Sequence, residues 1–269
     1  MGRGASATRL RAVARFDGVL LDIDGVLAVS WKPLPGAVET LAWLRRNDVP
    51  FRLITNTTTK TQGDLAQTLR DAGFDVHDEE VVTAVVATSG YLRSAHPGAR
   101  CFLLSDGDAR GDLEGVELVD VDRADVVVMG GACDDFSYAT MNRIFRRLME
   151  GAVLVGMHRN LYWRTAEGFE LDGGAYIAGL EEATGRRAVI CGKPTAPYFD
   201  AALAMLGVPR ERAVMVGDDI VNDVHGAQVL GIRGALVKTG KFLPEDLAKV
   251  PDAPDHLLET IADLPGLLA

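Results

Sequence analysis

The chain has 269 residues, of which 48% are hydrophobic, and it carries a formal net charge of -10 at pH 7. This composition suits one large globular domain or two, and the acidic balance excludes the broad basic face that nucleic-acid binding requires. No apolar stretch approaches the ~18 residues that cross a bilayer, and the three cysteines are widely spaced, so we expect a cytoplasmic protein without disulfides, membrane contact or nucleic-acid partner.

Apolar runs alternate with helical patterns in the N-terminal part, after a leader, residues 1–14, that we expect to be mobile. The pattern predicts strands at 19–21 and 51–54. A helix is predicted after each of them, over 36–46 and 63–72. This part of the chain therefore reads as strand, helix, strand, helix.

The C-terminal part repeats the alternation. Apolar runs predict strands at 189–190, 213–216 and 235–237. Between them we predict a helix that is capped by Thr195 and ends before Gly207, and another over 223–230. Such alternation is typical of a parallel sheet covered by helices.

The middle of the chain has a different composition, with a strand predicted at 126–129 and helices at 138–150 and 175–184. We interpret residues 87–187 as an inserted α/β domain. Residues 15–86 and 188–269 together would then form the core domain. The predicted fold class is α/β, a doubly wound, Rossmann-like parallel sheet with this insertion.

Two aspartates, Asp22 and Asp24, directly follow the first predicted strand and precede Gly25. Open α/β sheets bind ligands at the carboxyl ends of their strands. Asp22 is a candidate nucleophile, because a carboxylate that attacks phosphorus forms an acyl phosphate that water can cleave. Asp24 is the candidate general acid and base. Taken alone, the motif is equally consistent with a strand that runs into an Asp-Gly turn.

Two other segments at predicted strand ends carry groups suited to phosphate. Thr55 and Asn56 supply hydroxyl, amide and main-chain donors for phosphoryl oxygens. Lys193 lies between Gly192 and Pro194 and would neutralise charge on the nucleophile and the transferred phosphoryl group. In isolation, each segment is explained better by a helix cap or a solvated surface lysine.

A fourth segment gathers three acids, Asp218, Asp219 and Asp223, after the strand at 213–216. Clustered carboxylates repel one another unless a cation lies between them. Mg²⁺ prefers such oxygen ligands and bridges them to a phosphate. The segment therefore predicts a magnesium site at the same edge of the sheet.

In this order, the four segments resemble the motifs of the haloacid dehalogenase (HAD) superfamily of phosphohydrolases, over essentially everything after the leader. The position of the insertion is similar to that of the C2a-type α/β cap in subclass IIA, which contains NagD-like and p-nitrophenyl phosphatase enzymes. Segments 217–228 and 237–242 look most similar to the subgroup of phospholysine phosphohistidine inorganic pyrophosphate phosphatases and their sister hydrolase-domain proteins.

The resemblance implies a Mg²⁺-dependent phosphatase that acts on a small phosphorylated substrate through an aspartyl-phosphate. It implies that Asp22 is the nucleophile and binds the metal through its side chain. Asp24 would be the general acid and base and bind the metal through its carbonyl oxygen. Asp218 would complete the set of protein ligands. Asp219 and Asp223 would support these ligands without binding the metal directly.

The resemblance also implies that Thr55 and Asn56 bind phosphate and that Lys193 balances charge. Caps of related proteins form dimer contacts, so a homodimer through the cap is a further expectation. Members of the most similar subgroup often carry Ser or Asn where this chain has Asp24. Since Asp24 can protonate a leaving group, ordinary phosphate monoesters are the preferred prediction over pyrophosphate or phosphoramidates.

Two alternatives remain at this point. Hydrolysis of carbon–halogen bonds on the same scaffold is disfavoured, because Asp24 and the acidic fourth segment suit a phosphoryl group with a metal. A non-catalytic, phosphate-binding regulatory module is disfavoured, because it needs neither Asp24 nor an inserted cap. In the cap, His158, Arg159, Tyr162 and Trp163 are candidates to face the substrate, although packing or surface roles are more common for such residues.

Overall fold

The computed structural model describes residues 16–165 and 168–269, without the side chains of residues 163–169. The predicted leader therefore lies outside the described residues. The strands in chain order are β1 (Gly18–Asp22), β2 (Ala28–Val29), β3 (Lys32–Pro33), β4 (Phe51–Thr55), β5 (Val81–Thr83), β6 (Arg100–Leu104), β7 (Glu117–Leu118), β8 (Val126–Met129), β9 (Val153–Gly156), β10 (Tyr162–Thr165), β11 (Gly168–Leu171), β12 (Val189–Ile190), β13 (Ala213–Gly217), β14 (Arg233–Val237) and β15 (His256–Leu258).

Eight α-helices accompany these strands in the described part of the chain. They are α1 (Ala37–Arg46), α2 (Gln62–Asp71), α3 (Ala84–Ala95), α4 (Tyr138–Met149), α5 (Gly173–Thr184), α6 (Ala196–Leu206), α7 (Gly226–Gln228) and α8 (Leu264–Leu268). Within residues 16–165 and 168–269, no helix is long and apolar enough to cross a lipid bilayer.

The first sheet contains six parallel strands in the order β15-β14-β13-β1-β4-β5. Its central strand β1 is buried along its whole length. Alternate residues of β1 point to opposite faces, so that Val19 and Leu21 pack with α1, α2 and α8 while Leu20 packs with α3 and α6. Helices on both faces make this the predicted doubly wound, Rossmann-like sheet.

The second sheet contains five parallel strands in the order β12-β9-β8-β6-β7. In β8, Val126 and Val128 pack toward the first sheet, whereas Val127 and Met129 pack against α4 and α5. One continuous apolar cluster thus extends from the first sheet through α3 and α6 to the second sheet. This packing holds the carboxyl ends of the first sheet beside loops of the inserted segment.

Two details differ from the predicted domain boundaries. Residue 86 lies inside α3, and β12, which the sequence analysis assigned to the core domain, pairs with β9 of the second sheet. A run of two apolar residues carries no information about which sheet it joins, because that choice depends on tertiary packing.

Two predicted helix features also differ. The helix predicted over 223–230 is a π-helical turn, Ile220–His225, followed by the short α7. Thr195 does occupy the position before α6, but its hydroxyl donates to the carbonyls of Ile190 and Gly192 instead of capping the helix. These bonds fold the segment around Lys193 into a compact loop.

Candidate active site

The four predicted segments meet at the carboxyl edge of the first sheet. Asp22 ends β1, Thr55 ends β4 and Asp218 directly follows β13, while Lys193 follows β12 and α6 then returns to the first sheet. Their side chains are buried, with exposed fractions of 5% for Asp22 and 6% for Lys193. Parallel strands bring Asp22, Thr55 and Asp218 together because the carboxyl ends of β1, β4 and β13 share one edge.

Lys193 forms ion pairs with two buried carboxylates. Its Nζ lies 2.5 Å from Asp22 Oδ1 and 2.7 Å from Asp223 Oδ1. Burial alone would lower the pKa of Lys193, but the two carboxylates outweigh it and raise the pKa. Burial raises the pKa of Asp22, an effect that Lys193 opposes and Asp218 increases. The lysine therefore stays charged and favours the ionised form of Asp22.

Asp22, Asp218 and Asp223 form a cluster of acids in which each offers one carboxylate oxygen within 4.8 Å of the others. Burial raises the pKa of Asp218 to about 6, and burial likewise raises that of Asp223 to about 6 against the influence of Lys193. Asp218 Oδ1 is buried and accepts no hydrogen bond from the described residues. Because a buried oxygen without a donor is costly, this donor set fits a divalent cation.

Two glycines with positive φ enclose Asp218. A Cβ atom on Gly25 (φ +84°) would lie 2.0 Å from Asp218 Oδ2, and one on Gly240 (φ +62°) would lie 2.1 Å from it. The same oxygen accepts a hydrogen bond from the Lys241 main-chain N–H at 2.7 Å. Thr239 Oγ1 donates to the Gly25 carbonyl at 2.5 Å and ties the two loops together.

Asp24 lies in the tight loop that follows β1, and unlike Asp22 it is exposed at the wall of the cavity. The loop is closed by hydrogen bonds from the N–H groups of Leu27 and Ala28 to the Ile23 carbonyl, at 2.9 and 3.1 Å. This geometry turns two carboxylates only one residue apart toward different environments, one buried against Lys193 and one open to solvent.

Asn56 has a different contact from the one predicted. Its Oδ1 accepts the Lys193 main-chain N–H at 2.8 Å, and its Nδ2 donates to the Lys193 carbonyl at 3.1 Å. Both ends of the amide are therefore used to position Lys193. Thr55 Oγ1 lies 2.9 Å from Thr57 Oγ1, and the Tyr198 hydroxyl lies 2.9 Å from the Thr55 carbonyl.

Asp219 and Asp223, which the sequence analysis treated alike, differ in the structure. Asp219 Oδ1 accepts the N–H groups of Val221 and Asn222, at 3.0 and 2.9 Å, so this carboxylate caps the π-helical turn. The Asp219 carbonyl accepts from both Asp223 N and Val224 N. Asp223 is buried within the acidic cluster. Asp223 is therefore a candidate ligand, and Asp219 orders the turn that carries it.

Lys241 is a cavity residue that the sequence analysis did not identify. It follows β14 in a Thr-Gly-Lys loop, and its exposed side chain lines the cavity. Its ammonium group has no ion pair in the part of the chain that the structure describes. Lys241 could have been predicted as a site residue, because it follows the predicted strand at 235–237 as Lys193 follows the one at 189–190.

The cavity above these residues has a volume of about 430 Å³ and is closed on one side by the inserted segment. His158 lines it and is 3% exposed. Arg159 instead pairs with Glu181 through its guanidinium group, and Tyr162 is exposed on β10. The side chain of Trp163 lies outside the described set. Burial raises the pKa of the Cys191 thiol to about 12, so this cysteine stays a neutral thiol.

Two family models match the chain. The model described as haloacid dehalogenase-like hydrolase matches residues 19–119, and the HAD-hydrolase-like model matches residues 190–264. Haloacid dehalogenase-like hydrolase domain-containing protein 2 of Homo sapiens is 36% identical over 261 residues, which cover 93% of this chain and 99% of that protein. Phospholysine phosphohistidine inorganic pyrophosphate phosphatase of Mus musculus is 37% identical over 270 residues, which cover 98% and 97%.

Solved structures agree with these matches. A 4-nitrophenylphosphatase from Thermotoga maritima superposes with a TM-score of 0.87 and 29% identity, covering 96% of this chain and 99% of that one. NagD from E. coli K-12 superposes with a TM-score of 0.84 and 28% identity, covering 93% and 98%. The chain belongs to the haloacid dehalogenase-like hydrolases, in the branch of NagD-like and p-nitrophenyl phosphatase-like enzymes, and it is a phosphatase of that family.

Proposed function

We propose that this protein is a Mg²⁺-dependent phosphatase that hydrolyses small-molecule phosphate esters through an aspartyl-phosphate on Asp22. The observation that carries the proposal is the buried Asp22–Lys193 ion pair, which lies at the cavity floor beside the carboxylates of Asp218 and Asp223. A nucleophilic carboxylate must be ionised, and the ammonium group of Lys193 favours that form.

In the first step, a carboxylate oxygen of Asp22 attacks phosphorus and forms the aspartyl-phosphate bond. The bond from phosphorus to the leaving oxygen breaks, and protonated Asp24 donates its proton to that oxygen. The exposed position of Asp24 at the cavity wall lets it reach a leaving group that lies away from the buried nucleophile.

In the second step, ionised Asp24 removes a proton from a water molecule, which attacks the phosphorus atom. The bond between phosphorus and Asp22 breaks, inorganic phosphate leaves, and both aspartates return to their starting states. Division of one displacement into two steps lowers the barrier that each must cross.

Asp22, Asp218 and Asp223 offer the carboxylate oxygens that would hold Mg²⁺, with the Asp24 carbonyl as the further ligand that the family resemblance implies. When bound, the cation supplies positive charge that offsets the carboxylates and the phosphoryl oxygens. Lys241 faces the same cavity and would add a second cation for the phosphoryl group. Thr55 would donate its hydroxyl to the phosphoryl group, and Asn56 would contribute through its main chain.

Phosphate monoesters are the proposed substrates, because Asp24 provides a proton for an alcohol leaving group. A pyrophosphate or phosphoramidate substrate is the second candidate, favoured by the 37% identity to a relative whose name specifies those compounds. Location in the cytoplasm, a homodimer through the cap, and the absence of nucleic-acid and membrane partners stay predictions.

Replacement of the nucleophile tests the proposal. In Asp22→Asn, turnover of p-nitrophenyl phosphate with Mg²⁺ should fall at least ~1000-fold, because an amide cannot form the covalent intermediate. Chelation of the metal should abolish activity of the unmodified protein. Asp200→Asn is the control, since Asp200 pairs with Arg210 at the surface. Undiminished metal-dependent turnover by Asp22→Asn would contradict the proposal.

A further inference from the structure

The cap side of the cavity contains one buried histidine that the proposed mechanism does not use. His158 lies just after β9 and is 3% exposed. Its Nδ1 accepts the main-chain N–H of Asn160 at 3.3 Å. Burial lowers the pKa of His158, although Asp172 opposes this effect, so the neutral imidazole is favoured. Because Nδ1 accepts a hydrogen bond, the hydrogen of the neutral ring must be on Nε2.

That Nε2–H group faces the carboxylate of Asp172 across a gap. The distance from His158 Nε2 to Asp172 Oδ1 is 3.6 Å, which is too long for a hydrogen bond. Nε2 has no other hydrogen-bond partner among the described residues. Both residues line the cavity. An oxygen atom located beside the two groups would lie within ordinary hydrogen-bond distance of each.

The main chain fixes this pair in position. The N–H of Asp172 donates to the Leu161 carbonyl at 3.0 Å, and the N–H of Gly174 donates to the Asn160 carbonyl at 2.9 Å. A Cβ atom on Gly174 would lie 2.4 Å from that same carbonyl oxygen, so only glycine permits the contact. Asp172 Oδ1 also accepts the N–H of Gly173 at 2.7 Å, which orients the carboxylate. The pair is therefore organised before any substrate binds.

The chemistry of the pair distinguishes between ligand groups. A hydroxyl group can accept from Nε2–H and donate to Asp172, so it satisfies both sides. An ammonium group would set its own N–H against Nε2–H. A second phosphate or a carboxylate would meet the charges of Asp172 and Asp106, and among the described residues the cations that line the cavity, Lys193 and Lys241, both lie outside the cap.

We infer that His158 and Asp172 bind a hydroxyl group of the leaving alcohol, and that the preferred substrates are phosphate esters of polyhydroxylated alcohols such as carbohydrates. This inference rests on the proposed phosphatase function and assigns the part of the cavity that selects its substrate. Phe136 lines the cavity beside this pair, stacked on Tyr176 at 4.0 Å between ring centres, and offers an apolar wall to the carbon skeleton.

Matched substrates test the inference. The value of kcat/KM is measured for ω-hydroxyalkyl phosphates of two to four carbons and for alkyl phosphates of the same lengths. We expect the hydroxylated ester to be preferred at least ~10-fold at one length or more, since a hydrogen-bonding pair left without its partner costs that much. The preference should fall toward unity in His158→Phe and in Asp172→Ser, whose serine can still cap α5.

Two further variants separate this role from a structural one. His158→Gln places an N–H donor near the position of Nε2 and should retain part of the preference. His96→Gln, at a histidine that contacts the Tyr91 ring away from the cavity, should retain all of it. Equal turnover of the two ester series by the unmodified protein, or an unchanged preference in both His158→Phe and Asp172→Ser, would overturn the inference. If the unmodified protein still hydrolyses p-nitrophenyl phosphate in the same experiment, the proposed phosphatase function is supported even when the inference about the hydroxyl group fails.

Discussion

At the scale of single residues, the central feature is a buried network of charges. An isolated ionised carboxylate inside a protein is costly unless it is paired. Asp22 and Asp223 share one lysine, Lys193, whose main chain is held by the Asn56 amide. Among the described residues, Asp218 forms no ion pair and keeps one carboxylate oxygen without a donor. The site is therefore short of positive charge, which a divalent cation would supply.

Lys241 provides a residue-scale prediction. Its ammonium group lines the cavity, and its anchoring hydrogen bond to Asp218 comes from the main chain. Lys241→Met should lower kcat/KM for p-nitrophenyl phosphate about 10–100-fold, the effect of one lost charge-assisted hydrogen bond, with the melting temperature unchanged. Lys238→Met is the matched control, because Lys238 pairs with Glu259 instead. Equal kinetics in the two variants would remove Lys241 from the site.

Some of these residues could be predicted from the sequence and others could not, for physical reasons. Asp22 ends β1, and strand ends gather at one edge of a parallel sheet. Lys193 also follows an apolar run, but that run is β12 of the second sheet, so the packing of the two sheets brings it to Asp22. The bidentate contact between Asn56 and the Lys193 main chain joins residues 137 positions apart, so no local pattern reports it. The same limitation applies to His158 and Asp172, whose relation depends on how α5 packs against the loop after β9.

At the scale of secondary-structure elements, loops at the strand ends shape the site. Gly25 and Gly240 bring two loops against Asp218 so closely that no side chain fits between them. The π-helical turn Ile220–His225 widens the backbone beside Asp219, and Asp223 on this turn is buried in the acidic cluster. Such turns often occur at functional sites because they change where a side chain points.

A pair of glycines with similar φ provides an element-scale prediction. Gly240→Ala should abolish Mg²⁺ binding measured by titration calorimetry, because its Cβ would displace Asp218 Oδ2 from 2.1 Å away. Gly185 has φ +67°, and a Cβ there meets nothing within 4 Å. Gly185→Ala should therefore show only the conformational cost of about 1–2 kcal/mol and bind Mg²⁺ normally. Equal binding by both variants would contradict the role of the loop contact.

Elements with long apolar runs were located from the sequence more accurately than elements with short ones. The strands β1, β4, β8 and β13 and most long helices were located within one or two residues. The helix predicted over 223–230 is α-helical only at Gly226–Gln228, because the hydrogen bonds that the Asp219 carboxylate accepts and the burial of Asp223 favour a wider π-helical turn before it. Residues 189–190, which were placed with the core domain, form β12 and pair with β9 of the second sheet, since a run of two residues cannot specify a partner.

At the scale of the whole molecule, the active site lies where the two sheets meet. The first sheet supplies the acids and the second supplies the loop after β9 and the start of α5. One apolar cluster contains residues of both sheets, and its packing holds the two sheets in position around the cavity. In the proposed function, the chemistry of phosphoryl transfer belongs to the first sheet and the selection of the leaving group to the second.

Metal binding provides a prediction at this scale, with a defined dependence on pH. The pKa of Asp218 is raised from 3.8 to about 6, so between these values this carboxyl group binds more protons in the folded metal-free protein than in the unfolded chain. The contribution of this group to stability should therefore decrease as pH rises through that interval. Mg²⁺ competes with those protons, so its stabilising effect should increase with pH.

Thermal denaturation checks this prediction. Mg²⁺ at ~100 times its dissociation constant should raise the melting temperature by about 5–10 °C at a pH of about 7.5, and by clearly less at a pH of about 5. Asp218→Asn should show little Mg²⁺-dependent shift at either pH. A shift that is larger at the lower pH would contradict the assignment of these carboxylates as ligands.

Chemical trapping of the phosphorylated enzyme tests the central claim most directly. p-Nitrophenolate leaves readily without a proton, whereas water must be deprotonated by Asp24 to cleave the intermediate. In Asp24→Asn mixed with p-nitrophenyl phosphate and Mg²⁺, then quenched with acid, peptide mass spectrometry should find one phosphoryl group on Asp22 in most molecules. A variant that releases p-nitrophenolate with no phosphoryl group on Asp22, or with the group on another residue, would contradict the account.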